Sequence, residues 1–235
     1  MSASNAIKKE LMTYAENQLF FASQLYQQKF SDILTESAYY KAIERLCKEK
    51  MLARIAKGVY CRPKQGRYGM LMPSEQDIIR FFTEKEQGTV VGYALYNRMN
   101  LTTQIGKNVE IYSSVPDQQI KRIGSVVLKQ RQMKFSQDVV RTLHMLEVLK
   151  NYTEIQDLNL HQFLSQYEAF AEEYSESAFD YVYHHVRYPK STISFLREGL
   201  NYYGVENHLN RYLSSLSEYQ HPKMEALYET ARVSS

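Results

Sequence analysis

The chain of 235 residues carries 29 Lys+Arg against 26 Asp+Glu, a formal net charge of +3, and 44% of it is hydrophobic. That length leaves room for one large or two to three small domains with ordinary cores. The sequence has no membrane-length apolar run, no signal-peptide pattern at its N-terminus, and only Cys47 and Cys61 with no CxxC pair, so a cytoplasmic protein without membrane partner, disulfide framework or zinc site is expected. The charge is uneven: residues 1–70 hold 12 Lys+Arg against 6 Asp+Glu (+6), and the remainder 17 against 20 (−3), as if one module met an anionic partner and another met something else.

Ala6 to Asn17 places Ile7, Leu11, Tyr14 and Ala15 at helical spacing, with Ser4 or Asn5 as N-cap. Phe20 and Phe21 form an apolar knot, and the following FASQLYQQKF allows a short second helix with Leu25 and Tyr26 inward, then a polar loop near Ser31 and Asp32.

Residues 35–63 read as a helix, a turn and a two-stranded basic ribbon. Tyr39, Ala42, Ile43 and Leu46 fall at i, i+3, i+4 and i+7 and stack on one face, which is expected to be buried. The opposite face carries Ser37, Tyr40, Lys41, Glu44, Arg45 and Lys48, groups that gain little from a protein core and much from a phosphate backbone. After Lys50 the helical period stops, and Gly58 splits Leu52 and Ile55 from Val59 and Tyr60 as a tight hairpin turn would. Arg54, Lys57, Arg62 and Lys64 give the ribbon a cation about every third residue, and Pro63 ends it. Three helices and a hairpin predict a winged helix-turn-helix over residues 1–66. Its expected partner is double-stranded DNA, met by Ser37, Tyr40, Lys41, Arg45, Lys48, Arg54, Lys57, Arg62 and Lys64; a protein-interaction module with a solvated basic face is the alternative.

Residues 65–73 are polar and Gly-containing and read as a domain boundary, and Pro73-Ser74 introduces a helix with Ile78, Ile79 and Phe82 inward. A helix with Ala94, Leu95 and Met99 follows, then a strand through Val109, Ile111 and Tyr112, a turn at Pro116-Asp117, one or two strands around Gly124, and a helix with Val139, Val140, Leu143, Leu146 and Leu149 inward. Residues 67–150 are thus read as a small α+β domain, and the whole chain as α+β, mostly helical.

Residues 151–235 read as an all-helical extension of four helices, built on Phe163 to Tyr174, Phe179 to Val186, Ile193 to Tyr203, and Leu209 to Leu216, with Gly204 as a stop. Between Lys150 and Arg187 there is no Lys or Arg, while Glu154, Asp157, Glu168, Glu172, Glu173, Glu176 and Asp180 supply seven acids. An acidic, tyrosine-bearing helix pair of this kind, through Glu168, Glu172, Glu173 and Glu176, suits a cationic protein surface; it equally suits a solvated helix face.

The GVY at Gly58 to Tyr60, Pro63, the Pro73-Ser74 helix start, and GYALYNRMNLTTQ at Gly92 to Gln104 stand in an order and spacing that resembles the type IV abortive-infection antitoxins of the AbiEi family and its close relatives. The resemblance spans about residues 20–150. It implies an N-terminal winged helix-turn-helix that represses the antitoxin's own operon, and a following domain that counters a nucleotidyltransferase-like toxin, directly or functionally. Within the family-like LTTQ segment, Thr102, Thr103 and Gln104 could bind that partner or could cap a turn internally. This sequence departs from the pattern in having Asn100 where a glycine usually precedes that segment, a mild change because Asn tolerates the left-handed region, and in its long Tyr-rich C-terminal extension.

No HExxH, GxSxG, P-loop or GxGxxG occurs, adjacent His184 and His185 point about 100° apart on a helix, and Asp180 with His184 makes only two ligands. No enzymatic activity, metal or cofactor is expected. Two readings stand: an antitoxin that also autorepresses its operon, and a DNA-binding regulator whose C-terminal part senses a ligand or dimerises.

Overall fold

The computed structural model describes residues 3–115 and 122–233. The fold is α+β, about half helical, with small sheets. The chain separates into two compact units, one running to Phe82 and including the segment that ends at Leu128, the other comprising Thr83–Val115 and everything from Lys129 onward.

In unit one, α1 (Ala3–Leu11) is followed by β1 (Leu19–Phe21), α2 (Ala22–Leu25), a π-helical turn (Tyr26–Phe30), α3 (Glu36–Lys48), β2 (Ala53–Ala56) and β3 (Val59–Cys61). The first helix is shorter than its apolar spacing suggests. After Leu11 the chain turns so that Asn17, at φ 59°, can donate its backbone N–H to Arg62 and accept from the Lys64 N–H on its side chain, which ties the segment to the end of β3. Phe20 and Phe21 are buried apolar residues as expected, and they lie on a strand: β1 pairs with β3 in register Leu19↔Cys61 to Phe21↔Val59, so the expected two-stranded ribbon is a three-stranded antiparallel sheet in the order β1-β3-β2.

Helix α3 forms where its periodicity places it. The Thr35 hydroxyl caps it by accepting from the Ala38 N–H at 3.3 Å. It ends in a Schellman arrangement, with Lys50 at φ 60°, the Lys50 N–H bonded to the Cys47 carbonyl and the Met51 N–H to the Leu46 carbonyl. Tyr39, Ala42, Ile43 and Leu46 are buried together with Ile7, Leu11, Phe20, Leu25, Phe30 and Leu52 in one apolar cluster.

The polar stretch after Pro63, read from sequence as a domain boundary, holds a hairpin. β4 (Lys64–Gly66) and β5 (Gly69–Leu71) pair in register Gly66↔Gly69, closing a hairpin with Arg67 and Tyr68 in its two-residue turn. A capping box starts α4 (Glu75–Thr83): the Asp77 carboxylate accepts from the Ser74 N–H at 2.9 Å, and the Asp77 N–H donates to the Ser74 hydroxyl at 3.2 Å. Phe81 and Phe82 of this helix pack on Phe21, with ring centroids 5.2 and 6.2 Å away. The strands expected around Gly124 are β8 (Arg122–Ile123) and β9 (Val126–Gln130), a hairpin with Gly124 at φ 57°. The expected Pro116-Asp117 turn lies outside the described residues.

In unit two, β6 (Gly88–Val91) precedes α5 (Tyr93–Arg98) and pairs antiparallel with β7 (Val109–Ser113), a strand the helical reading of this stretch missed. All four β6 residues are buried, so the segment has no polar alternation to reveal it. α6 (Gln137–Lys150) is the central rod, with residues buried on every side, and α7 (Leu160–Glu172), α8 (Glu176–His185) and α9 (Lys190–Tyr202) pack against it. Gly204 closes α9 at φ 72°, the Val205 N–H reaching the Leu200 carbonyl at 2.8 Å. The expected fourth C-terminal helix reduces to a 3₁₀ turn at Leu209–Tyr212, with Leu216 96% exposed, and the last helix, α10 (Met224–Val233), comes later and buries Met224, Leu227 and Ala231.

Candidate nucleic-acid interface

Helix α3 divides cleanly. Ser37, Lys41, Glu44, Arg45 and Lys48 are exposed opposite the buried stripe. Tyr40 is half-buried, its ring 5.3 Å from that of Tyr39 in a T-shaped contact, so it belongs as much to the core as to the outer face. Lys48 pairs with Glu44 one turn back at 2.7 Å, which lowers the Glu44 carboxyl and neutralises part of the helix's C-terminal end. Lys41 and Arg45 enter no ion pair among the described residues and are the two uncompensated cations of the helix.

The ribbon residues do not gather at one place. Gly58, at φ 77°, makes the β2–β3 turn and leaves Lys57 exposed at its tip. Arg54 is exposed on β2 opposite Tyr60 in register, and its charge acts on the Cys47 thiol of α3. Arg62 and Lys64 lie past the far end of β3, roughly 16 Å along the strand from Lys57 at the ordinary strand rise. Arg62 Nη1 donates to Met12 Sδ at 3.5 Å, and Lys64 opens the second hairpin. Lys57 at the turn and Arg62–Lys64 therefore stand at opposite ends of the hairpin, and Arg54 is the ribbon cation whose charge reaches α3.

That second end holds residues the sequence reading passed over. Arg67 and Tyr68 form the β4–β5 turn, the guanidinium 5.6 Å from the Tyr68 ring centroid, and Tyr68 is 93% exposed. The signal was a glycine on each side of a two-residue turn.

Both cysteines are free; burial pushes the Cys61 thiol up to about 11 and raises that of Cys47 as well, so neither is a ready nucleophile near neutral pH. Among the described residues no group of three or more His, Cys, Asp or Glu is placed to hold a metal ion. His184 and His185 each donate from Nδ1 to the carbonyl one turn back, Asp180 at 2.6 Å and Tyr181 at 2.8 Å.

The LTTQ segment is built into unit two. Asn100, at φ 56°, takes the left-handed position expected of it: its N–H reaches the Asn97 carbonyl and the Leu101 N–H the Tyr96 carbonyl. Leu101 is fully buried, the Thr102 hydroxyl donates to the Gln156 carbonyl at 2.6 Å, and the Gln104 side chain donates to the Asp157 carboxylate. The Asn97 carboxamide ties both ends by donating to the Thr102 and Gln104 carbonyls at 2.8 and 2.9 Å. Thr103 is exposed, and its side chain makes no hydrogen bond among the described residues.

The acidic stretch is partly neutralised. Arg141 pairs with Glu173 at 3.0 Å, and Arg211 with both Glu176 and Asp180. Glu168 and Glu172 stand exposed. The tyrosines that accompany these acids mostly turn inward: Tyr167 is fully buried and Tyr174, Tyr183, Tyr203 and Tyr212 pack on the same core.

No curated protein matches the sequence. Among solved structures, the crystal structure of the RV2827C protein from Mycobacterium tuberculosis is similar at 9% identity, with a TM-score of 0.44 over 87% of this chain and 78% of that one. No helix among the described residues is long and apolar enough to cross a membrane. Residues 7–156 match the model of a family of unknown function (DUF6088), and the chain belongs to that family.

Proposed function

We propose that the chain is a DNA-binding autorepressor and antitoxin of a type IV abortive-infection system, with unit one acting as a winged helix-turn-helix. The observation that carries the DNA arm is the division of α3: a fully buried apolar stripe, and on the opposite face Lys41 and Arg45 without carboxylate partners among the described residues. The element order of three helical segments around a β1-β3-β2 antiparallel sheet supports it, since that arrangement presents its third helix and the β2–β3 turn to duplex DNA. Lys41 and Arg45 then contact phosphate and base edges, Ser37 and Lys48 the backbone, and Arg54 and Lys57 extend the contact along the hairpin.

The antitoxin arm is supported by the resemblance of Gly58–Tyr60, Pro63, Pro73-Ser74 and Gly92–Gln104 to the abortive-infection antitoxins, and by the exposed Glu168, Glu172 and Thr103 as surface left for a partner. The toxin is expected to be a nucleotidyltransferase-like protein from the adjacent gene. A co-expression growth assay tests this arm: rescue of growth by the full chain supports it, and continued toxicity despite soluble full-length protein defeats it.

The second reading, a DNA-binding regulator without an antitoxin role, is favoured by one observation. Thr102 and Gln104 are engaged inside unit two, which leaves the LTTQ segment little to offer a partner. Promoter binding without growth rescue selects it.

A further inference from the structure

Unit two contains a cleft of about 350 Å³ walled by the start of α5, the Gly106–Asn108 loop, β7, the end of β9 and the last turn of α6. Its size falls at the lower end of the ~300–1,000 Å³ usual for small-molecule sites. Two glycines shape it. Gly92 sits at φ 66° and ψ −151°, a region essentially closed to other residues. A Cβ on Gly106 would lie 2.9 Å from the Tyr93 Cβ, so only glycine lets this loop close against Tyr93 and bring Lys107 to the rim.

Three lysines from three separate segments line the cleft. Lys129 is paired with Glu110. Lys107 and Lys150 enter no ion pair among the described residues, and both are exposed. Of the other carboxylates lining the cleft, Glu147 is buried and accepts the Tyr112 and Tyr188 hydroxyls at 3.1 and 2.8 Å, which leaves Glu154 on the exposed side. The three lysines are thus matched in number by three carboxylates, but the Lys107 and Lys150 ammonium groups stand outside any ion pair among the described residues and are free to turn to a phosphate.

The remaining groups suit a heteroaromatic base. The Tyr93 hydroxyl is anchored between the Glu154 carbonyl at 3.3 Å and the Gln156 N–H at 3.4 Å, which fixes its ring at the cleft wall. The Asn151 amide nitrogen is engaged by the Tyr96 hydroxyl and the Glu147 carbonyl, so its carboxamide is held in one orientation.

We propose that this cleft binds a nucleoside phosphate, with Lys107 and Lys150 on the phosphate, the Tyr93 ring stacked on the base and Asn151 hydrogen-bonded to its edge. The proposal stands independently of the DNA-binding reading. The test is isothermal titration calorimetry of the full chain with the 5′-mono- and diphosphates of adenosine, guanosine, cytidine and uridine, and with inorganic phosphate alone. At least one nucleotide is expected to bind saturably at one site per chain and at least about tenfold more tightly than inorganic phosphate. Lys107→Ala and Lys150→Ala, both at exposed positions, are each expected to weaken it about tenfold at unchanged melting temperature, as loss of a charge-assisted phosphate contact implies. Tyr93→Leu weakens nucleotide but leaves inorganic phosphate unchanged. Absence of binding by every nucleotide at millimolar concentration, affinity unaltered in both lysine variants, or inorganic phosphate binding as tightly as any nucleotide overturns the proposal.

Discussion

Replacing Gly199 with alanine should destabilise the second unit severely, against the usual benefit of that exchange in a helix. Within a helix interior, Gly→Ala ordinarily gains about 1 kcal/mol. At this position a Cβ would sit 2.2 Å from Tyr167 Cζ, 2.4 Å from its hydroxyl oxygen and 2.7 Å from Cε1, far inside any real carbon contact. Tyr167 cannot yield easily, because it is fully buried and its hydroxyl donates to the Phe195 and Leu196 carbonyls at 2.9 and 3.0 Å. Overpacking of a well-filled core costs about 1–3 kcal/mol, and displacing a buried hydroxyl from its partners costs about 1–3 kcal/mol more. Net of the propensity gain, the loss is about 3 kcal/mol, or roughly a 10 °C fall in Tm for a unit of this size. Thermal unfolding followed by circular dichroism measures it, and a double-mutant cycle locates it: in a Tyr167→Leu background Gly199→Ala should cost far less, because the clashing ring is gone. A Gly199→Ala protein as stable as the parent would refute the packing argument.

Two further perturbations concern a buried hydroxyl without a partner among the described residues and a half-buried histidine. The Tyr39 hydroxyl is buried with no hydrogen-bond partner among the described residues, so Tyr39→Phe should leave stability unchanged or raise it by up to about 1 kcal/mol in denaturant unfolding; a loss of more than that would mean the hydroxyl has a partner. His144, beside the Thr89 hydroxyl at 2.7 Å, has its pKa lowered to about 4 by burial and by the Arg98 charge, with a backbone hydrogen bond at Val90 acting the other way. Its folded value lies below its unfolded one, so the unfolded chain binds the proton more tightly. The stability this contributes is present above about pH 6.5 and is lost as pH falls towards 4. Urea titrations across that window should show a steeper decline for the parent than for His144→Gln, and parallel curves would contradict it.

The third helix was legible because thirteen residues are long enough to show a 3.6-residue stripe, and its cap and Schellman end follow from local rules. Gly58, Gly124 and Gly204 were legible as stops for the same reason, since each sits at a positive φ that its position demands. β1 and β6 were not. They have three and four residues, buried throughout, and a short apolar run carries no period to tell strand from helix. Leu209 to Leu216 keeps a helical spacing over a segment that forms a single 3₁₀ turn: Leu209 is buried and Tyr212 and Leu213 pack on the core, but Leu216 is 96% exposed, and so short a run does not hold a helix by spacing alone. The candidate DNA face was legible as far as it lies on one helix. That Lys57 and Arg62 stand at opposite ends of β3 depends on strand register, and that Lys107 and Lys150 share a cleft depends on two segments meeting across the fold.

The acidic segment shows the same limit in another form. Its seven carboxylates were visible in sequence, but Arg141 and Arg211, which neutralise Glu173, Glu176 and Asp180, come from outside it.

The central claim is that α3 reads duplex DNA, and fluorescence anisotropy of the full chain on labelled DNA from its own promoter tests it most directly. Affinity should fall steeply as salt rises, and Lys41→Ala and Arg45→Ala should each weaken binding about tenfold and reduce the log–log salt slope by about 1. Both side chains are exposed, so their removal leaves the fold intact. Absent or salt-insensitive binding, or unaltered affinity in both variants, would contradict the account.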